Sequence, residues 1–203
     1  MTTPRITRVR ERYKLDHATQ PLCASEAKDD LPATFAPAFW LVAAHGGAGV
    51  TTLEKFWQPA ADAQRMWPQA DESTACVVVA RSTKAGLEAA AQTILNDTGN
   101  AEIIGLVVVA DVPGKLPKDL AHKLRMFDEQ LPVWRIDYLP KLRLVDEEQL
   151  ACWRPGDDID TSRKAKKLGL DEQVPAQVAR VGEEIFEAVR THREATGHTS
   201  ETE

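Results

Sequence analysis

Apolar residues concentrate in four short runs along the chain. The runs are Phe39–Ala44, Ala75–Ala80, Ile103–Ala110 and Val133–Tyr138. They are mostly apolar and do not alternate regularly with polar residues, which is typical of parallel strands covered on both faces. The pattern therefore predicts a mostly parallel sheet.

Segments with helical periodicity accompany these runs. Apolar side chains recur at helical spacing in residues 83–97, 117–131 and 174–192. A further helix is expected directly after the first strand. Strands that alternate with helices imply right-handed crossovers and a layered α/β domain.

Composition and proline content set the expected domain boundaries. A chain of 203 residues with 43% apolar residues can bury one sizeable core. Residues 1–37 lack periodicity and contain several prolines, so we expect a flexible N-terminal arm and linker there. Residues 38–192 are predicted to form the α/β domain, and the polar residues 193–203 a disordered tail.

Charge and hydropathy narrow the expected partners. The net charge of −6 argues against a protein coated in nucleic acid, although residues 1–14 are locally basic. A solvated tail is the simple interpretation of that arm, and contact with nucleic acid or an acidic partner is the alternative. No apolar run approaches the roughly 18 residues of a membrane span, and the polar N-terminus lacks a secretory apolar region. We therefore expect a cytoplasmic protein without a membrane partner.

A glycine-rich turn between the first strand and its helix is the sharpest motif. A phosphate-binding P-loop reads G-x-x-x-x-G-K-[ST], because its backbone N–H groups wrap phosphates, its lysine reaches them and its hydroxyl holds magnesium. The matching window here runs from Ala44 to Thr51. Val50 stands at the lysine position and Ala44 at the first glycine, so the frame of the loop is kept without its cation.

The motif "HGGAGVTT" resembles the loop of the ParA/MinD-like branch of P-loop ATPases, which reads K-G-G-x-G-K-T-[ST]. The glycines and threonines are kept, whereas His45 and Val50 replace the two lysines. Weaker similarity continues through the later strands. The stretch "WLVAAHGGAGVTTL" also resembles a bacterial family of unassigned function that is often encoded on mobile elements. The resemblance implies a shortened three-layer, P-loop NTPase-like fold.

The resemblance also supplies candidate site residues. The candidates for phosphate or nucleotide binding are His45, Gly46, Gly47, Ala48, Gly49, Val50, Thr51, Thr52, Arg81 and Asp111. Thr51 would be a metal ligand if a magnesium nucleotide binds. No catalytic residue is assigned. The isolated cysteines and histidines lack the spacing of a zinc site.

Asp111 has two interpretations. The run "IIGLVVVAD" fits the Walker B pattern, in which an acid after an apolar strand contacts magnesium through water. The preferred alternative places this strand near the nucleotide base, and the Walker B aspartate is then missing. A Walker B strand should lie directly beside Phe39–Ala44.

If the intervening strands of the ParA/MinD-like fold are lost, the strand Phe39–Ala44 lies near a sheet edge. That edge would then be covered by the N-terminal linker or by a second copy in a homodimer.

Loss of the lysine weakens the expected chemistry. A charge-assisted hydrogen bond contributes about 1.5 to 3 kcal/mol, and a lost transition-state donor costs hydrolysis on the order of a hundred- to a thousandfold. We expect a non-hydrolysing, ParA-like domain that acts as a binding or assembly protein. Its ligand, if any, would be Mg-ATP or a phosphate or sulfate ion. The alternatives are a purely structural loop, an active ATPase-like enzyme with a non-standard cation such as Arg81, and a DNA-associated accessory protein.

Overall fold

Five parallel strands form one sheet in a computed structural model, which describes residues 37–64, 66–68, 74–96, 98–162 and 164–197. The strands are β1 (Phe39–Ala43), β2 (Ala60–Asp62), β3 (Ala75–Arg81), β4 (Glu102–Val109) and β5 (Val133–Ile136). Their order across the sheet is β2-β1-β3-β4-β5. The helices are α1 (Val50–Phe56), α2 (Lys84–Leu95), α3 (Lys118–Asp128) and α4 (Ala176–Gly197), and short 3-10 turns cover Pro140–Leu144, Glu147–Gln149 and Ala165–Lys167.

Helices cover both faces of the sheet, which confirms the predicted three-layer α/β architecture. One apolar cluster joins alternate strand residues such as Leu41, Val77 and Val79 to α1 and α4. The other joins Val78, Ala80, Leu106 and Val108 to α2 and α3. Successive side chains of a strand point to opposite faces, so strands buried on both sides need unbroken apolar runs.

The short strand β2 is a feature that the sequence analysis did not foresee. It pairs in parallel with β1 from Phe39 to Leu41 and so covers the exposed side of β1. A sheet edge of only three residues offers little surface for pairing with another chain. The edge argument for a homodimer therefore no longer applies, because the chain itself covers β1. The homodimer stays a prediction without that support.

Strand order bears directly on Asp111. The neighbours of β1 are β2 and β3, and β4 pairs with β3 instead. Asp111 follows β4 and therefore does not meet the adjacency expected of a Walker B acid. Strand β2 lies on the other side of β1 and also ends beside the glycine turn. Its last residue is Asp62.

Helix α4 runs further than expected. It ends at Gly197, and a guanidinium nitrogen of Arg193 donates to the carbonyl of Ala38 at 2.7 Å. Residues 193–197, which the sequence analysis assigned to the tail, thus belong to the helix, and this last part of it is tied to the start of β1. Residues 198–203, and the arm and linker up to residue 36, lie outside the described residues.

None of the helices in the described ranges combines the length and the hydrophobicity that a membrane span requires.

Candidate functional site

A cavity of about 490 Å³ opens at the carboxyl ends of β1, β2 and β3. Crevices at this edge of a parallel sheet are the usual binding sites of open α/β folds. Its lining includes Ala43, His45, Gly46, Gly47, Ala48, Gly49, Val50, Thr51, Thr52, Asp62, Gln64, Arg81 and Glu147. The glycine turn thus forms one wall, and chain segments distant in sequence form the others.

Two glycines give the turn its shape. Gly47 and Gly49 have φ angles of 74° and 103°, which side chains other than glycine adopt at a cost of about 1 to 3 kcal/mol. Gly49 is followed by α1, whose first backbone hydrogen bond joins the N–H of Leu53 to the carbonyl of Gly49. The N–H groups of Val50, Thr51 and Thr52, which lie between these two residues, precede the first hydrogen bond of the helix. These three residues line the cavity, and N–H groups outside the helical ladder are available as donors to an anion.

Arg81 brings a permanent positive charge to the turn. It is the last residue of β3, and its Nε donates to the carbonyl of Gly47 at 3.1 Å. One Nη nitrogen donates to the carbonyl of Ala110 at 3.2 Å. These two bonds fix the guanidinium against the turn, and three of its five N–H donors are not used in them.

Both ring nitrogens of His45 are hydrogen-bonded to the backbone around the turn. Its Nε2 accepts a hydrogen bond from the backbone N–H of Arg81 at 3.1 Å, so this nitrogen carries no proton. Its Nδ1 lies 2.9 Å from the carbonyl of Gly46 and must be the donor there. The ring therefore braces the turn against β3 and does not replace the lost lysine as a cation.

Asp62 faces the cavity from the end of β2. Its Oδ1 accepts from the backbone N–H of Gln64 at 2.6 Å, and its own N–H donates to Glu54 Oε1 at 3.2 Å. Gln64 has a φ of 50°, the one positive value of a non-glycine residue in the described parts of the chain. Sparsely populated backbone angles of this kind cluster at functional sites.

Burial raises the pKa of the Asp62 carboxyl, and the bond from Gln64 opposes that shift in part. An acid whose pKa is raised on folding destabilises the fold when it ionises, because the native state binds the proton more tightly. Stability should therefore fall as the pH rises from about 3.9, the ordinary value for aspartate, through the raised folded pKa.

Asp62→Asn should consequently be more stable than the wild type at pH 7. This gain in stability should shrink as the pH falls below the folded pKa of Asp62. It should vanish below about pH 3.9, where the side chain at position 62 is uncharged in both the wild type and the variant. Urea unfolding between pH 3 and 7 measures this, with the exposed Asp158→Asn as the matched control. A wild type that is more stable than Asp62→Asn at pH 7 would contradict the prediction.

A carboxylate from beyond the sheet also reaches the turn. Glu147, in the 3-10 turn Glu147–Gln149, accepts a hydrogen bond from the hydroxyl of Thr52 at 3.0 Å. Thr52 belongs to the first turn of α1 and lines the cavity. A carboxylate thus lies beside the Thr52 hydroxyl at the α1 end of the turn.

The structure brings together nine of the ten predicted candidates. His45 to Thr52 and Arg81 line the cavity, whereas Asp111 is absent from its lining and instead donates its N–H to the Ser82 hydroxyl. Sequence reasoning missed Asp62 and Glu147. Two alanines before an acid are too short a strand signal, and Glu147 lies in an irregular segment that no motif marks.

In the described part of the chain, no group of three or more histidine, cysteine or acidic residues could hold a metal ion.

No curated protein and no solved structure matches the sequence. A family model does match, over residues 37–140, which include all five strands and the glycine turn but not Glu147 or α4. The chain therefore belongs to the family of unknown function DUF6668.

Proposed function

We propose that this domain binds a phosphate-bearing ligand at the glycine turn and acts through binding, as a degenerate relative of the ParA/MinD-like P-loop proteins. The observation that carries the proposal is the convergence of three anion-binding features on one cavity. These are the turn with left-handed Gly47 and Gly49, the hydroxyl of Thr51 and the guanidinium of Arg81. Backbone N–H groups in such turns form concave anion sites.

Arg81 supplies the charge that Val50 cannot. A guanidinium keeps its proton at any ordinary pH and offers planar, paired donors to phosphate oxygens. Its bonds to Gly47 and Ala110 preorganise it, so little side-chain entropy is lost when a ligand binds. The α1 helix has only seven residues, so the proposal rests on the turn and on Arg81 and not on a helix dipole.

Binding without turnover fits the charges in the cavity. Phosphoryl transfer needs cations placed on the transferred group. The two lysines of the ParA/MinD-like loop are replaced here by His45, whose ring nitrogens are hydrogen-bonded to the backbone, and by apolar Val50. The side chain of Val50 is 4% exposed and packs in the core. One guanidinium remains, which suits ground-state binding better than transition-state stabilisation.

One observation favours a second candidate, a nucleotide-dependent enzyme. Asp62 ends the strand directly beside β1 and shares the cavity with Thr51, so it has the adjacency of a Walker B acid. Magnesium prefers such oxygen ligands and usually keeps several waters. Thr51 and Asp62 would hold the ion of a magnesium nucleotide, which would neutralise phosphate charge there. Measurable ATP hydrolysis that Thr51→Ala and Asp62→Asn both abolish would favour this candidate.

The resemblance to ParA/MinD-like proteins further suggests a cytoplasmic assembly factor that works with a protein partner or as a homodimer. A DNA-associated role would depend on residues 1–14, which lie outside the described residues.

Arg81→Gln should weaken phosphate binding at least about tenfold, because it removes a charge-assisted hydrogen bond while keeping a polar side chain. Calorimetric titration with inorganic phosphate, AMP, ADP and ATP measures the effect. Arg125→Gln is the matched control, since Arg125 is exposed on α3 and away from the cavity.

Equal losses in both variants would show that Arg81 is not the binding cation. No binding of any of the four ligands to the wild type would overturn the proposed function. A urea unfolding curve for Arg81→Gln separates lost binding from lost structure, because the substitution also removes two hydrogen bonds that fix the turn.

A further inference from the structure

Acidic side chains outnumber permanent cations around the cavity. Among the described residues that line it, Asp62 and Glu147 are carboxylates and Arg81 alone is a permanent cation. These three side chains together carry a formal charge of −1. A site built for a free polyphosphate would be expected to carry the opposite sign.

Glu147 is an exposed acid that a hydrogen bond ties to the start of α1. Its carboxylate accepts from the Thr52 hydroxyl at 3.0 Å, across 95 positions of sequence. Its turn is anchored by Leu150, which is 7% exposed and belongs to the same apolar cluster as α1. The Glu147 carboxylate therefore lies at the α1 end of the glycine turn.

The cationic side of the cavity has limited capacity. Two donors of Arg81 are already bonded to Gly47 and Ala110. The remaining donors can serve one phosphate group, and Val50 offers none to a second. Additional phosphates would thus meet carboxylates instead of cations.

We infer that the cavity selects singly phosphorylated ligands, namely inorganic phosphate or a monophosphate ester, over di- and triphosphates. Glu147 is the specificity-determining residue in this inference, which rests on the proposed function. Its repulsion grows with ligand charge, since each added negative charge near a carboxylate raises the free energy of the complex.

The test compares AMP with ATP at low salt, in a chelator that removes divalent cations, by calorimetric titration. Wild-type protein should bind AMP more tightly than ATP. Glu147→Gln should shift the ratio of the two affinities towards ATP by about three- to tenfold, because the repulsion of roughly two extra ligand charges is lost. Glu148→Gln is the matched control, with the same change in net charge on the adjacent exposed residue. The shift should diminish at high salt.

The outcomes separate this inference from the proposed function. Tighter binding of ATP than AMP by the wild type, or equal ratios in both variants, would overturn the inference and leave phosphate binding intact. No binding of AMP or ATP by any of the three proteins, together with no binding of inorganic phosphate or ADP by the wild type, would overturn both. Thr52→Val provides an independent check, since loss of the hydroxyl releases Glu147 and should move the ratio in the same direction.

Discussion

Trp57→Ala is expected to lower the free energy of unfolding by about 3 to 5 kcal/mol, the usual cost of truncating a large buried aromatic side chain. Trp57 is fully buried at the end of α1. Its ring lies against Phe39, with centroids 6.4 Å apart, and its Nε1 donates to the carbonyl of Val178 at 3.0 Å. The loss would remove contacts to β1 and α4 together.

Close packing around the ring leaves little room for relaxation. A Cβ atom added to Gly182 of α4 would lie 2.7 Å from Trp57 Nε1 and 2.8 Å from the ring of Trp153. The helix therefore approaches the two indoles through its glycine. Because α4 is fixed by many other apolar contacts, we expect a cavity to persist after truncation, which places the cost in the upper part of the range.

Urea unfolding followed by circular dichroism measures the effect, and Trp57→Phe is the control. Phenylalanine keeps an aromatic ring but loses the bond to Val178, so the expected cost is smaller, with about 0.5 to 1.5 kcal/mol from the hydrogen bond. If Trp57→Ala and Trp57→Phe were equally stable, the indole would contribute through its N–H alone and the packing argument would be wrong.

The sheet could be predicted from sequence because its strands are buried on both faces and therefore form continuous apolar runs. The runs that begin at Phe39, Ala75, Ile103 and Val133 correspond to β1, β3, β4 and β5 within one or two residues. Helices α2, α3 and α4 were equally visible, since each buries one face on the sheet. Patterns of burial are local in sequence, and they specify elements well.

The short strand β2 could not be predicted in the same way. Ala60 and Ala61 are buried, yet three residues are too few to show a periodicity. The strand exists because its backbone pairs with β1, an interaction between distant residues that carries no side-chain signature. Asp62 was missed for that reason, although the glycine turn it faces was recognised.

The far wall of the cavity depends on tertiary contacts still further away. Glu147 bonds to Thr52 from a turn that leads into Leu150, and Leu150 belongs to the same apolar cluster as α1. Arg81 was a candidate from its place at a strand end, but its bonds to Gly47 and Ala110 follow from strand order. Motifs therefore located the turn, and the fold decided which charges surround it.

Val50→Lys is expected to strengthen phosphate binding by about ten- to a hundredfold, because it returns a charge-assisted donor to a turn whose backbone still has left-handed glycines. Val50 is the first residue of α1 and is among the residues that line the cavity, but its own side chain is only 4% exposed. The gain therefore requires the longer lysine side chain to turn out towards the cavity. The buried valine also packs against the core, so some loss of stability is expected.

Val50→Met is the matched control, since methionine is also unbranched but carries no charge. Titration of both variants with AMP and ATP should show a gain for lysine alone, and a larger gain for ATP, whose extra phosphates meet the new cation. Equal affinities for the two variants would mean that the turn no longer presents position 50 to a ligand. If neither variant bound AMP or ATP at all, the glycines would preserve only a strand-to-helix connection, which is the structural interpretation of the loop.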